Sequence, residues 1–141
     1  MSDLPKSVRI HEEGPREGFQ FEKGPIPTAR KIELIDSLSL TGLKQIQAVS
    51  FVPPKNVPGM ADADDVVKGF TRAPGVSYTG LWLNDKGLER ALATGKLDVA
   101  GTLSLTASEK FLLRNQKRTF KENIEAQHGI VKMYKQHRVR V

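Results

Sequence analysis

The chain has 141 residues, 38% hydrophobic and 27% charged, which suits one soluble domain with a real core rather than a disordered segment. No run approaches the roughly 18 to 20 apolar residues of a membrane span, and the opening MSDLPKSVRI lacks the apolar stretch of a signal peptide, so a cytoplasmic protein with no membrane association is expected. Cysteine is absent, which removes disulfides, thiolate metal sites and a cysteine nucleophile, and the net charge is +6.

That charge is local. Lys110 to Val141 carries nine Lys or Arg against two Glu, while the remainder carries thirteen against fourteen acidic groups. The basic stretch reads either as a solvated helix face or as a site for a phosphorylated ligand. Its aromatics are only Phe111, Phe120 and Tyr134, few for a base-stacking surface, so nucleic acid is not expected.

In chain order, SVRIHEE alternates apolar and polar residues through Val8 and Ile10 and predicts a strand. The turn EEGPREGFQ follows. TARKIELIDSLSLTG predicts a helix with Ile32, Ile35 and Leu38 on one face, stopped at Gly42. KQIQAVSFV predicts a second strand, ended by PPKNVPG. DADDVVKGF predicts a short helix capped by Asp62. GVSYTGLWL predicts a third strand, and Asn84 caps a helix over DKGLERALATG. LDVAGTLSL predicts a fourth strand. Thr119 and Glu122 have capping-box spacing and open a long helix to about Tyr134, with Phe120, Ile124 and Val131 as its buried stripe. HRVRV begins a fifth strand. Alternating strands and helices predict a parallel α/β sheet within one domain over residues 1–141. Both an open doubly wound sheet and a (β/α)8 barrel fit this order, although the first turn lacks G-x-G-x-x-G.

In either architecture functional residues gather beyond the strand C-termini. That rule selects Arg16, Glu17 and Gln20 after the first strand. It selects Gln47, Ser50 and Lys55 at the second, Trp82 and Asn84 at the third, and Ser108, Glu109 and Asn115 after the fourth. Arg16 and Glu17 read either as a surface ion pair or as a charge-stabilising arginine beside a metal-binding carboxylate. His11 reads as structural. His128 and His137 are nine apart and make no i, i+4 metal pair.

Three blocks carry a resemblance. VRIHEEGPREGFQFEK is similar to the G-P-R-D-G-L-Q-x-E loop of the hydroxymethylglutaryl-CoA lyases. SFVPPKNVPGM is similar to their S-F-V-S-P-K-x-V-P-x-M stretch, and TASEKFLLRN to A-S-E-x-F-x-x-x-N. Order and spacing also match. The resemblance implies a TIM barrel, (β/α)8, of the metal-dependent lyases and Claisen-type condensing enzymes. It implies carbon–carbon cleavage of a 3-hydroxyacyl-CoA thioester to acetyl-CoA and a keto acid, with Mg²⁺ or Mn²⁺ as cofactor. By position, Arg16 would stabilise the enolate with Gln47 as its catalytic partner, and Glu17 would bind metal. Gln20, Ser50, Lys55, Ser108 and Asn115 would contact substrate.

Four positions depart from the pattern. Glu17 replaces aspartate, Gln47 replaces a glutamate that partners the arginine, Pro53 replaces a serine, and Glu13 stands where an apolar residue is usual. A related acyl-CoA lyase or condensing enzyme with another substrate, or a noncatalytic ligand-binding remnant, fits these changes too. A full barrel takes about 250 residues. The 141 residues therefore hold about four βα units and the start of a fifth strand, a half-barrel expected to be a fragment. The resemblance places a His-x-His metal pair, an asparagine ligand and a cysteine in later segments. The chain alone is expected to lack lyase activity, its partner being a C-terminal half-barrel or a second copy in a homodimer.

Overall fold

A computed structural model describes residues 3–141. It contains two compact units, one ending at Val99 and the other spanning Ala100–Val141.

In the first unit, strand β1 (His11–Glu12) leads into helix α1 (Gly14–Phe21), then helix α2 (Thr28–Ser39) and strand β2 (Gln45–Ser50). A 3₁₀ turn (Pro58–Met60), helix α3 (Ala63–Gly69), strand β3 (Ser77–Leu81) and helix α4 (Asp85–Ala93) follow. The strands form a parallel sheet in the order β1-β2-β3, the expected result of helical crossovers. His11 lies opposite Gln45, and Gln45 opposite Ser77.

The two faces of this sheet differ in chemistry. Ile46 and its neighbour Tyr78 are fully buried on the helix side, where the Tyr78 ring stacks on Phe70 at 4.8 Å and its hydroxyl donates to Ser39 Oγ at 2.7 Å. Ile35, Val66, Val67 and Leu88 complete this core. Period-two alternation puts His11, Gln45, Gln47, Ser77 and Thr79 on the opposite, polar face.

Several expectations need correction. Only His11–Glu12 of the first predicted strand pairs with β2, and Val8 and Ile10 are exposed. The buried face of α2 is Lys31, Ile35 and Ser39, an i, i+4 row, rather than Ile32, Ile35 and Leu38. Lys31 is tolerated inside because its Nζ donates to Asp62 Oδ1 and to the Gly59 carbonyl, each at 2.6 Å. Asp62 starts α3 but makes no side-chain cap; its carboxylate is taken by Lys31 and by the Thr28 hydroxyl at 2.6 Å. Asn84 does cap α4, accepting from the Gly87 N–H.

The predicted fourth strand forms no ladder. At its start the Asp98 carboxylate, not a carbonyl, accepts the Tyr78 N–H at 2.9 Å, so the neighbour's donor is used up by a side chain. One backbone bond remains there, Asp98 N–H to the Tyr78 carbonyl.

In the second unit, TASEKFLLRN forms a helix of its own, α5 (Glu109–Gln116), with Ser108 accepting from the Phe111 N–H. Lys117, at φ 54°, ends it in the left-handed conformation. Helix α6 (Phe120–Gln136) opens with the predicted capping box: Thr119 Oγ1 accepts from the Glu122 N–H, and Glu122 Oε2 from the Thr119 N–H. Its buried residues are Asn123, Met133 and Tyr134, whereas the expected Ile124 is exposed. HRVRV forms no strand; the Arg140 carbonyl makes one bond, from the Gly101 N–H. No helix among the described residues is long and apolar enough to cross a membrane.

Candidate active site

GPREGFQF does not form the turn expected of it; it forms α1. Pro15 explains why. Proline in the first helical turn loses no bond, because its missing N–H would have had no partner, and its fixed φ suits the helix. The Glu13 carbonyl accepts from the N–H groups of Arg16 and Glu17 at 3.0 and 2.7 Å, and the Glu12 carboxylate accepts from Gly14 N–H at 2.6 Å.

The helix sets the side-chain geometry. Arg16 sits one turn beyond Glu13, and Gln20 one turn beyond Arg16. The Arg16 guanidinium is engaged on three sides. Its Nε donates to Gln47 Oε1 of β2 at 2.5 Å, one terminal nitrogen to Glu13 Oε2 at 2.6 Å, and the other to Glu17 Oε1. Gln20 Nε2 donates to the remaining Glu17 oxygen at 3.2 Å. The Arg16 side chain is only 11% exposed, against 46% for Glu13 and 44% for Glu17, so the cation lies beneath its two carboxylates. Arginine stays charged in such a place.

The floor comes from the sheet. A β-bulge after Gln47 shifts the register, so that Gln47 pairs with Thr79 but Ser50 with Leu81. Since Thr79 and Leu81 are two apart on β3, the bulge brings Ser50 to the same face as Gln47. Ser50 is fully buried and its hydroxyl has no hydrogen-bond partner among the described residues. The Thr79 hydroxyl is likewise buried and unpaired. Sequence reasoning missed Thr79, although its alternate position in GVSYTGLWL was the signal.

Other candidates lie elsewhere. Lys55 is exposed, on a segment fastened to α1: a Cβ at Gly59 would stand 2.5 Å from the Phe19 carbonyl oxygen. Trp82 is buried and Asn84 is spent as a cap. Ser108 and Asn115 belong to the second unit, one as the α5 cap and the other exposed. His11 is exposed, and His128 is exposed beside Glu125.

The residues present do not by themselves fit a divalent metal. Among the described residues no three His, Asp or Glu converge as ligands, and both Glu17 oxygens are occupied by Arg16 and Gln20.

No family model matches the chain. It is 45% identical over 139 residues to the 3-hydroxy-3-isohexenylglutaryl-CoA/hydroxymethylglutaryl-CoA lyase of Pseudomonas aeruginosa, covering 99% of this chain and 46% of that protein. The chain is homologous to the hydroxymethylglutaryl-CoA lyases. The mitochondrial hydroxymethylglutaryl-CoA lyase of Rattus norvegicus is 46% identical over 131 residues, 93% of this chain and 40% of the rat protein. The solved structure of the Pseudomonas aeruginosa hydroxymethylglutaryl-CoA lyase superimposes with a TM-score of 0.86 at 44% identity, over 99% of this chain and 46% of that one. The chain thus spans less than half the length of these lyases, and its parallel sheet is an open part of their TIM barrel.

Proposed function

We propose that the chain forms part of a lyase-type active site that cleaves a carbon–carbon bond in a 3-hydroxyacyl-CoA thioester, releasing acetyl-CoA and a keto acid. The observation that carries this reading is the meeting of Arg16 with Gln47, a part-buried cation held just beyond the C-terminal end of β1 in a chain homologous to lyases. When the bond breaks, its electron pair passes to the thioester fragment as an enolate. A guanidinium fixed against the sheet favours that charge where it develops and needs no reorganisation to do so. Gln47 orients the cation without adding charge. Ser50 and Thr79 add neutral, unpaired hydroxyls on the same face, which would reach the oxygens of a bound acid only if uncovered.

By resemblance alone, Glu17 would be a ligand of a divalent Mg or Mn ion; it would have to give up Arg16 or Gln20 to do so and would need further ligands from beyond the described residues. Gln20 supports Glu17. Lys55, Ser108 and Asn115 are substrate contacts by resemblance alone. In this reading residues 1–141 are the N-terminal half of one barrel domain, and the site requires the rest of that barrel, from a longer chain or a second polypeptide. A cytoplasmic location accords with the bacterial relative and the absence of cysteine.

A different acyl group is the second reading. The pairing of Arg16 with two carboxylates and a neutral amide, together with the two acyl groups named for the Pseudomonas aeruginosa relative, favours it.

The test is a graft. This chain replaces the matching segment of the Pseudomonas aeruginosa lyase, and acetyl-CoA release from 3-hydroxy-3-methylglutaryl-CoA is followed. Turnover by the folded graft supports the reading. A folded graft that neither binds nor cleaves the thioester, or its isohexenyl analogue, contradicts it.

A further inference from the structure

The three bonds that hold Arg16 come from unlike places. Gln47 grips Nε from the sheet and offers only a neutral oxygen. Glu17 is the next residue on the helix, where neighbours point about 100° apart, and it shares its carboxylate with Gln20. Glu13 stands one full turn before Arg16, on the same flank. Its carbonyl fixes the Arg16 backbone by accepting that residue's N–H at 3.0 Å, and its carboxylate fixes the far edge of the guanidinium at 2.6 Å. Although Glu13 occupies the N-cap of α1, its side chain caps nothing and is free for this role.

We propose that Glu13 is a positioning residue for Arg16, supplying from the start of α1 the outer countercharge that Gln47 does not supply from β2. Gln47 holds Nε and Glu17 one terminal nitrogen; Glu13 holds the other, so that with it all three guanidinium nitrogens are engaged and the plane cannot rock. The charge also lies on the solvent side rather than on the sheet. A carboxylate at position 47 would return from the sheet the countercharge lost when Glu13 is neutralised, at Nε instead of the terminal nitrogen. Only the consequence for catalysis rests on the lyase reading. The geometry stands without it.

The experiment reads Arg16 directly, in the 141-residue chain, by following the arginine Nε–Hε signal in ¹H–¹⁵N spectra and the exchange of that proton with water. Arg16→Lys identifies the signal. Glu13→Gln, which preserves shape, is expected to speed exchange by roughly three- to tenfold, the range for a part-exposed charged hydrogen bond. Glu13→Gln with Gln47→Glu is expected to restore slow exchange. Backbone amide spectra confirm that each variant stays folded, and Glu13→Asp gives an intermediate rate if the glutamine variant does not fold. Exchange unchanged in Glu13→Gln, or not restored by the second substitution, overturns the proposal. Because no substrate is involved, a failed lyase reading and a failed Glu13 assignment are told apart.

Discussion

Arg16 on α1 and Gln47 on β2, 31 residues apart in sequence, meet through a 2.5 Å hydrogen bond from the arginine Nε to the glutamine Oε1. The bond ties the first two βα units together just beyond the C-terminal end of β1. Replacing Gln47 with leucine leaves that nearly buried Nε–H without an acceptor. Urea unfolding of the chain should show a loss of about 1–2 kcal/mol, the cost of stranding a buried donor. An unchanged midpoint would mean that Arg16 is held by its carboxylates alone.

A second relationship holds the segment carrying Lys55. Lys31 in α2 reaches Asp62 and the Gly59 carbonyl. Lys31→Met removes the cation and strands both acceptors. A loss of about 2 kcal/mol is expected, below the figure for a fully buried pair because Asp62 is partly exposed. Thermal or urea unfolding measures it.

The same pair gives a pH dependence. Burial raises the Asp62 carboxyl, but hydrogen bonds from Lys31 and Thr28 and the Lys31 charge outweigh it, so the group lies below the ordinary 3.8. Asp98 follows the same pattern, burial being outweighed by the Tyr78 N–H, Arg72 and Ser77. A carboxyl lowered on folding binds protons less readily folded than unfolded. Its stabilisation is therefore present above 3.8 and disappears as pH falls through the lower folded value. Stability should decline on acidification below about pH 4. Lys31→Met should decline less steeply there than the parent chain, as read from unfolding midpoints at a series of pH values.

Gly59 tests the contact between that segment and α1. A methyl group there would meet the Phe19 carbonyl oxygen at 2.5 Å, which is backbone and cannot turn aside. Gly59→Ala should cost about 1–3 kcal/mol, as overpacking does. It should also shift the backbone amide signals of α1. Signals confined to residues near Gly59 would show that the segment yields instead.

Much of this architecture was legible in the sequence, for identifiable reasons. Asn84 and the Thr119–Glu122 box were found because caps depend on neighbours along the chain. The parallel direction of β1, β2 and β3, though not their order, followed from strand–helix alternation. Lys31 was missed because a buried lysine makes sense only with Asp62 and Gly59, distant in sequence. LDVAGTLSL looked like a strand, but whether a ladder forms depends on a partner, and the Asp98 side chain takes the Tyr78 donor. At the site, the arginine and its glutamine were named correctly as neighbours. Glu13 was noted only as a departure from the lyase pattern, because its link to Arg16 appears only once GPREGFQF is known to be helical. Thr79 faces Gln47 by simple alternation, but Ser50 joins that face only through a bulge that no local pattern announces.

The central claim is that Arg16 stabilises charge in a lyase-type reaction, and one comparison tests it most directly. In the Pseudomonas aeruginosa lyase carrying this chain in place of its matching segment, kcat and KM are measured for the parent graft and for its Arg16→Gln variant. Loss of a group that acts in the transition state should lower kcat by about 10²- to 10³-fold while KM changes little. A variant that keeps the parent's kcat would contradict the account.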